Sequence, residues 1–138
     1  MANKKKYRFI ISGGGSGGHI YPALSIADSI KNKFINSELL FVGSKKRMEM
    51  KIIPDQGYRI KGLNISGFNR KFSISNLLIP FELIISLFQS LIILIKFRPN
   101  LVIGTGGFAS GPILFVSSLM NIPTFIQEQN SHPGITNK

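Results

Sequence analysis

Apolar positions along this chain fall in short, nearly unbroken runs, and between the runs they recur every three or four residues. Tyr7 to Ser12, Leu39 to Val42, Arg59 to Leu63, Leu101 to Ile103 and Thr124 to Ile126 read as strands. The intervening pattern predicts a helix over Pro22 to Phe34, with Ala23, Ile26, Ala27 and Ile30 as its buried stripe, and a short helix from Arg47 to Ile53 halted by Pro54. A long apolar helix follows at Leu77 to Phe97, with Ser75 or Asn76 as its cap, and a shorter one at Pro112 to Met120. The polar stretch "NISGFNRKFS" is a loop. Strands that are apolar throughout, alternating with helices, predict a parallel sheet covered on both faces. The expected fold class is α/β, a doubly wound, Rossmann-like parallel sheet.

Two glycine-rich stretches interrupt this pattern, "GGGSGG" at Gly13 to Gly18 and "GTGGFASGP" at Gly104 to Pro112, each between a strand and a helix. In a doubly wound sheet the ligand crevice lies beyond the carboxyl ends of the strands, where both loops fall. Glycine lets a ligand approach bare backbone, and a helix starting at the loop's end adds free N–H groups and the positive end of its dipole. The expected ligand is a phosphate or diphosphate. Gly13, Gly15 and Gly18 also fit the dinucleotide fingerprint, which wants an acid at the end of the second strand. Lys45, Lys46 and Arg47 stand there instead, which disfavours NAD and leaves NADP, and glycines can equally serve only tight packing.

His19 follows the first loop directly and is a candidate general base, since a neutral imidazole beside a phosphate site can accept a proton. Ser110 offers a hydroxyl in the second loop, and Glu128, Gln129 and Asn130 follow the last strand, a carboxylate-and-amide cluster suited to sugar hydroxyls or simply a polar turn. His132 reads as a loop histidine. No cluster has metal-ligand spacing.

Length and composition narrow the partners. The 138 residues make one domain, and 43% hydrophobic content supplies its core. A net charge of +11, with most of the bases before Phe72, favours phosphates, anionic lipid or nucleic acid. Nucleic acid gains no support, because the aromatics are mostly Phe inside apolar runs rather than interleaved with the bases. The absence of cysteine excludes disulfides and thiolate metal sites and suits a reducing compartment. "MANKKKYRFIIS" reads as a first strand rather than a signal peptide. Leu77 to Phe97 is long enough to span a bilayer, but Pro80, Glu82, Ser86, Gln89 and Ser90 favour a packed or interfacial helix.

Taken in order, "GGGSGGHIYPAL", "RMEMKIIPDQGY", "ISG" followed by basic residues, "GTGGFASGP" and "EQNSHPGITNK" resemble the N-terminal half of the MurG family of peptidoglycan glycosyltransferases. The resemblance implies a GT-B enzyme with two Rossmann domains, moving GlcNAc from UDP-GlcNAc to the C4 hydroxyl of MurNAc in lipid I, with inversion, to give lipid II. Residues 1–138 would be the acceptor-binding domain, with the donor domain outside this chain, and alone would not turn over. Gly14, Gly15, Ser16, Gly17 and Gly18, with Gly106, Gly107, Phe108, Ser110 and Gly111, would take the lipid I diphosphate. His19 would be the base or positioning group for the C4 hydroxyl, with Glu128 as a second catalytic residue. Gln129 and Asn130 would touch sugar hydroxyls, and no cofactor is expected. Phe108 stands where the family usually has tyrosine and Gln127 where it has histidine, so neither a phenolic hydroxyl nor a titratable ring is present there. The family works peripherally at the cytoplasmic face of the plasma membrane. Ile74 to Phe97 with Arg70 and Lys71 would supply an apolar patch rimmed by cations for anionic lipid. On the residues alone two other readings stay open. A NADP-dependent oxidoreductase domain explains Gly13 to Gly18 and the lysines, and a non-catalytic basic membrane-binding module explains the charge.

Overall fold

The five apolar runs form five parallel strands, β1 (Tyr7–Gly13), β2 (Ser37–Ser44), β3 (Ile60–Leu63), β4 (Leu101–Gly106) and β5 (Thr124–Ile126). The computed structural model in which they are seen describes residues 5–67, 71 and 73–138. The helices between them are α1 (Gly17–Lys33), α2 (Glu49–Asp55), α3 (Ile79–Phe97) and α4 (Ser110–Leu119). In the sheet the strands lie in the order β3-β2-β1-β4-β5. The chain winds outward from β1 to β3, then returns to lay β4 on the other side of β1, so the switch point is between β1 and β4, the two strands that feed the glycine loops.

Alternation along each strand sends neighbouring residues to opposite faces, and the core divides accordingly. Phe9, Ile11, Leu39, Phe41 and Ile103 pack under Ile20, Ala23, Leu24 and Ala27 of α1 and Ile53 of α2. Ile10, Leu40, Val42 and Val102 face Leu94 of α3 and Ile113, Leu114 and Val116 of α4. This is the doubly wound α/β architecture that the pattern predicts.

Helix α2 begins at Glu49 and runs through Pro54 to Asp55 rather than halting before the proline, and three further details depart from the expected elements. Helix α1 starts at Gly17, five residues before Pro22, with Ser16 as its N-cap. The amides of a first turn have no intrahelical acceptor, so glycines there cost little, and Pro22 falls early enough that its missing N–H removes a single bond. A 3₁₀ turn, Ile74–Leu78, precedes α3, and its cap is Ser73, whose side chain accepts from Ser75 N, rather than Ser75 or Asn76. The third concerns the burial of α3. Ser86 and Ser90 are fully buried whereas Phe81 and Phe88 are 65% and 64% exposed. The serine hydroxyls donate to the carbonyls of Leu83 and Ser86, both at 2.7 Å, so they are buried without an unmet hydrogen bond. The helix is long and apolar enough to cross a membrane, yet it lies on the domain with its small polar side inward.

Candidate active site between two glycine loops

The two glycine loops meet. Gly14 N donates to Gly106 O at 3.2 Å, joining the exit of β1 to the exit of β4. The approach is so close that a Cβ on Gly107 would sit 2.3 Å from Gly14 O, and Gly106 and Gly107 hold φ of 106° and 94°. Only glycine meets both demands at little cost.

His19, one turn into α1, is fastened across this junction. Its Nδ1 lies 2.9 Å from the Thr105 carbonyl oxygen, and the Thr105 hydroxyl donates back to His19 O at 2.7 Å. A carbonyl can only accept, so in the neutral ring Nδ1 carries the proton and Nε2 has the lone pair. Gln129 Nε2 lies 3.2 Å from the same Nδ1, and a half-turn of the amide, exchanging its nitrogen and oxygen, would present an acceptor to this tautomer. Gln129 and His19 therefore come together although 110 residues separate them.

Beneath the first loop lies a residue that the motif reading passed over. Glu49 is fully buried, and its carboxylate accepts from Gly15 N at 2.9 Å and Ser44 N at 2.8 Å. It ties the first loop to the exit of β2, and its side chain fills the space that a Cβ on Gly14 or Gly43 would need. A lone acid within "KKRMEMK" was the available signal. Both oxygens are committed to backbone, so Glu49 is not the ribose-binding acid of a dinucleotide site.

Once these bonds are counted, no described residue accepts from the amides of Ser16, Gly17 and Gly18, and Ser16 makes no side-chain cap bond at the α1 N-terminus. Those groups face outward with the positive end of the helix dipole. Arg47 adds a cation. It lines a narrow cleft with Gly14, Gly15, Ser44, Glu49, Gly67, Phe108 and Ala109, and its Nη2 would stand 3.1 Å from a Cβ on Gly67. Lys45 and Lys46 line a neighbouring pocket with Asn64, Ser66 and Glu82.

In the second loop Ser110 is fully buried and its hydroxyl donates to Gly107 O at 2.8 Å, so its proton serves the loop's own turn. The Phe108 ring, by contrast, is exposed and packs against Gly67. Gly111 faces Thr136 and borders an apolar groove beside α3.

After β5, the Glu128 carboxylate accepts from Asn130 N, Asn130 Nδ2, Gly134 N and Asn137 Nδ2, each at 3.0 Å. The backbone amides of Gly134 and Asn130, with the Asn137 side chain, hold its pKa down at about 2. It organises the turn from 128 to 137, and Asn130 is part of the same knot. Gln127 N donates to Gly104 O at 2.8 Å, while its Oε1 has no partner among the described residues. His132 is an exposed loop residue. Arg70, expected at a cationic rim, lies outside the described residues; Lys71 is exposed.

Known proteins resemble this chain closely. The UDP-N-acetylglucosamine–N-acetylmuramyl-(pentapeptide) pyrophosphoryl-undecaprenol N-acetylglucosamine transferase of Flavobacterium psychrophilum is 56% identical over 134 residues, 97% of this chain and 36% of that protein. The protein of the same name from Christiangramia forsetii is 57% identical over 135 residues, 98% of this chain and 37% of its own length. The chain thus spans little more than a third of these curated relatives. Among solved structures, MurG of Acinetobacter baumannii superposes with a TM-score of 0.81 at 26% identity, covering 95% of this chain and 38% of that one. A glycosyltransferase of kitacinnamycin shares the fold at a TM-score of 0.68 and 11% identity, covering 90% and 31% of the two chains. Residues 9–138, from the middle of β1 through both glycine loops to the last residue, match the glycosyltransferase family 28 N-terminal domain, and the chain belongs to that family.

Proposed function

We propose that this chain is the acceptor-binding domain of an inverting glycosyltransferase that moves GlcNAc from UDP-GlcNAc to the C4 hydroxyl of MurNAc in lipid I, yielding lipid II. The observation that carries the reading is the junction of the two loops, where the Gly14–Gly106 bond and the His19–Thr105 pair put outward amides and a free imidazole nitrogen around one point. The names of the relatives, which specify a pyrophosphoryl-linked acceptor, agree with that chemistry.

In this mechanism the amides of Ser16, Gly17 and Gly18 and the Arg47 guanidinium hold the acceptor diphosphate, with Gly107 and Phe108 closing the other side. His19 Nε2 takes the proton of the C4 hydroxyl as its oxygen attacks the anomeric carbon of GlcNAc. The bond from that carbon to UDP breaks, and UDP leaves with the electron pair. The Thr105 carbonyl keeps His19 in the accepting tautomer and then stabilises the imidazolium. Gln129 and Asn130 meet sugar hydroxyls. Glu128, whose oxygens are spent on the turn, holds that loop in place, so its contribution is to position its neighbours. The donor would be held chiefly by a second domain.

The enzyme would work at the cytoplasmic face of the plasma membrane. The outward side of α3 and of the 3₁₀ turn before it, with Leu77, Phe81, Ile84 and Phe88 exposed, Lys96 in the last turn and Lys71 exposed ahead of the 3₁₀ turn, suits an anionic lipid surface.

The deciding experiment is an NMR titration of the isotope-labelled 138-residue chain with a short-chain lipid I analogue, UDP-GlcNAc and NADPH in parallel. Lipid I alone is expected to shift the amides of Gly13 to His19 and Gly106 to Gly111. Shifts at the first loop and Lys45 to Arg47 with NADPH, and none with lipid I, would replace the reading with an oxidoreductase.

A further inference from the structure

Beside the glycine loops, α3 and α4 border a groove of about 480 Å³ lined by Ile79, Leu83, Leu87, Pro112 and Phe115, with Phe108 also in its wall. Its size falls within the ~300–1,000 Å³ typical of small-molecule pockets. Phe108 also lines the cleft that contains Gly14, Gly15 and Arg47, so one aromatic ring belongs to both spaces. The cleft beside Arg47 and the apolar groove thus meet at this ring.

We infer that this groove binds the first isoprene units of the acceptor's polyprenyl chain, the segment attached directly to the diphosphate. The inference rests on the proposed function. A ligand whose diphosphate sits at Gly14 to Gly18 and Arg47 must send its tail somewhere within a few bonds, and the neighbouring exit past Phe108 is apolar. The occupant is an unsaturated, branched hydrocarbon anchored by a diphosphate. It follows that the chain leaves the bilayer before the reacting sugar, lying on protein rather than in lipid over its first units.

The groove is distinct from the outward face of α3. Leu83 and Phe115 turn into it from α3 and α4, 43% and 56% exposed, whereas Phe81 and Phe88 look away from the domain.

The test compares methyl diphosphate, farnesyl diphosphate and farnesol on the labelled 138-residue chain, reading backbone amides and Ile and Leu methyl groups by NMR. Both diphosphates are expected to shift the amides of Ser16 to Gly18. Only farnesyl diphosphate should shift the methyls of Ile79, Leu83 and Leu87, and it should bind roughly tenfold or more tightly than methyl diphosphate, as a few buried methylenes require. Leu83→Asn and Phe115→Asn, both at partly exposed positions, should abolish that gain and leave methyl diphosphate binding unchanged, which also reports that the variants fold.

Equal affinity for the two diphosphates in the unaltered chain overturns the inference, as does a tail-dependent gain that survives both substitutions. Groove methyls that shift on dilution of the free chain would assign the groove to a second copy, which also overturns it. Farnesyl diphosphate or farnesol shifting groove methyls without any loop amide responding would keep the groove as an isoprenoid site and sink the diphosphate reading.

Discussion

Single positions in the loops carry unequal weights. Gly15 has a φ of 83° and open space around it, while Gly107 combines a φ of 94° with a carbonyl oxygen 2.3 Å from where a Cβ would go. Gly15→Ala is expected to cost about 1–3 kcal/mol of backbone strain alone. Gly107→Ala adds a clash with backbone that cannot turn aside, and should lose clearly more, with the two loops forced apart; urea unfolding of both variants gives the order. Glu128 makes a pH prediction. Its folded pKa of about 2 lies below the usual carboxylate range, so its contribution is complete above pH ~4.5 and is lost as pH falls from there through about 2. The amides of Asn130 and Gly134 should titrate together in that acid window, and Glu128→Gln should remove the transition. Sequence pattern reached the glycines because backbone demands are written in residue type. It did not reach the engagement of Glu128 or the burial of Glu49, whose partners are backbone amides that any residue carries.

Helix α3 is where element-level reading was most exposed to error. A run apolar on all sides gives no hydrophobic stripe to orient, and the usual inference is burial. The orienting signal lay in the exceptions, Ser86 and Ser90 one turn apart and Leu94 one turn on, which are the three buried positions of the helix. Small residues let α3 pack closely on the domain. Ser86→Leu is therefore expected to destabilise the domain by about 1–3 kcal/mol through overpacking. Phe81→Ser and Phe88→Ser should change stability by no more than ~0.5 kcal/mol, yet abolish flotation with vesicles containing anionic lipid. Retained flotation in the double variant would remove α3 from the membrane contact. The strands were legible because a parallel sheet covered on both faces asks for unbroken apolar runs, and the start of α1 was not, because its first turn is made of glycine.

At the scale of the molecule, the sheet's switch point between β1 and β4 brings His19 and Thr105 together from opposite ends of the sequence. In a full-length enzyme, His19→Ala is expected to lower turnover by roughly 10²–10⁴ while leaving acceptor affinity little changed, and near-normal turnover would deny it the base role. The same topology orders events while the chain is being made. Helix α3 is docked by β3 on one side and α4 on the other, and α4 is translated after it. At ~5–20 residues per second, a segment apolar enough to be taken for a membrane anchor waits on the order of a second or more for its partner. During that interval nothing in its hydropathy distinguishes it from an anchor, and the side that α4 will cover has nothing yet to sit against. Slower synthesis past Leu119 is therefore expected to lengthen that exposure without changing the finished structure's stability.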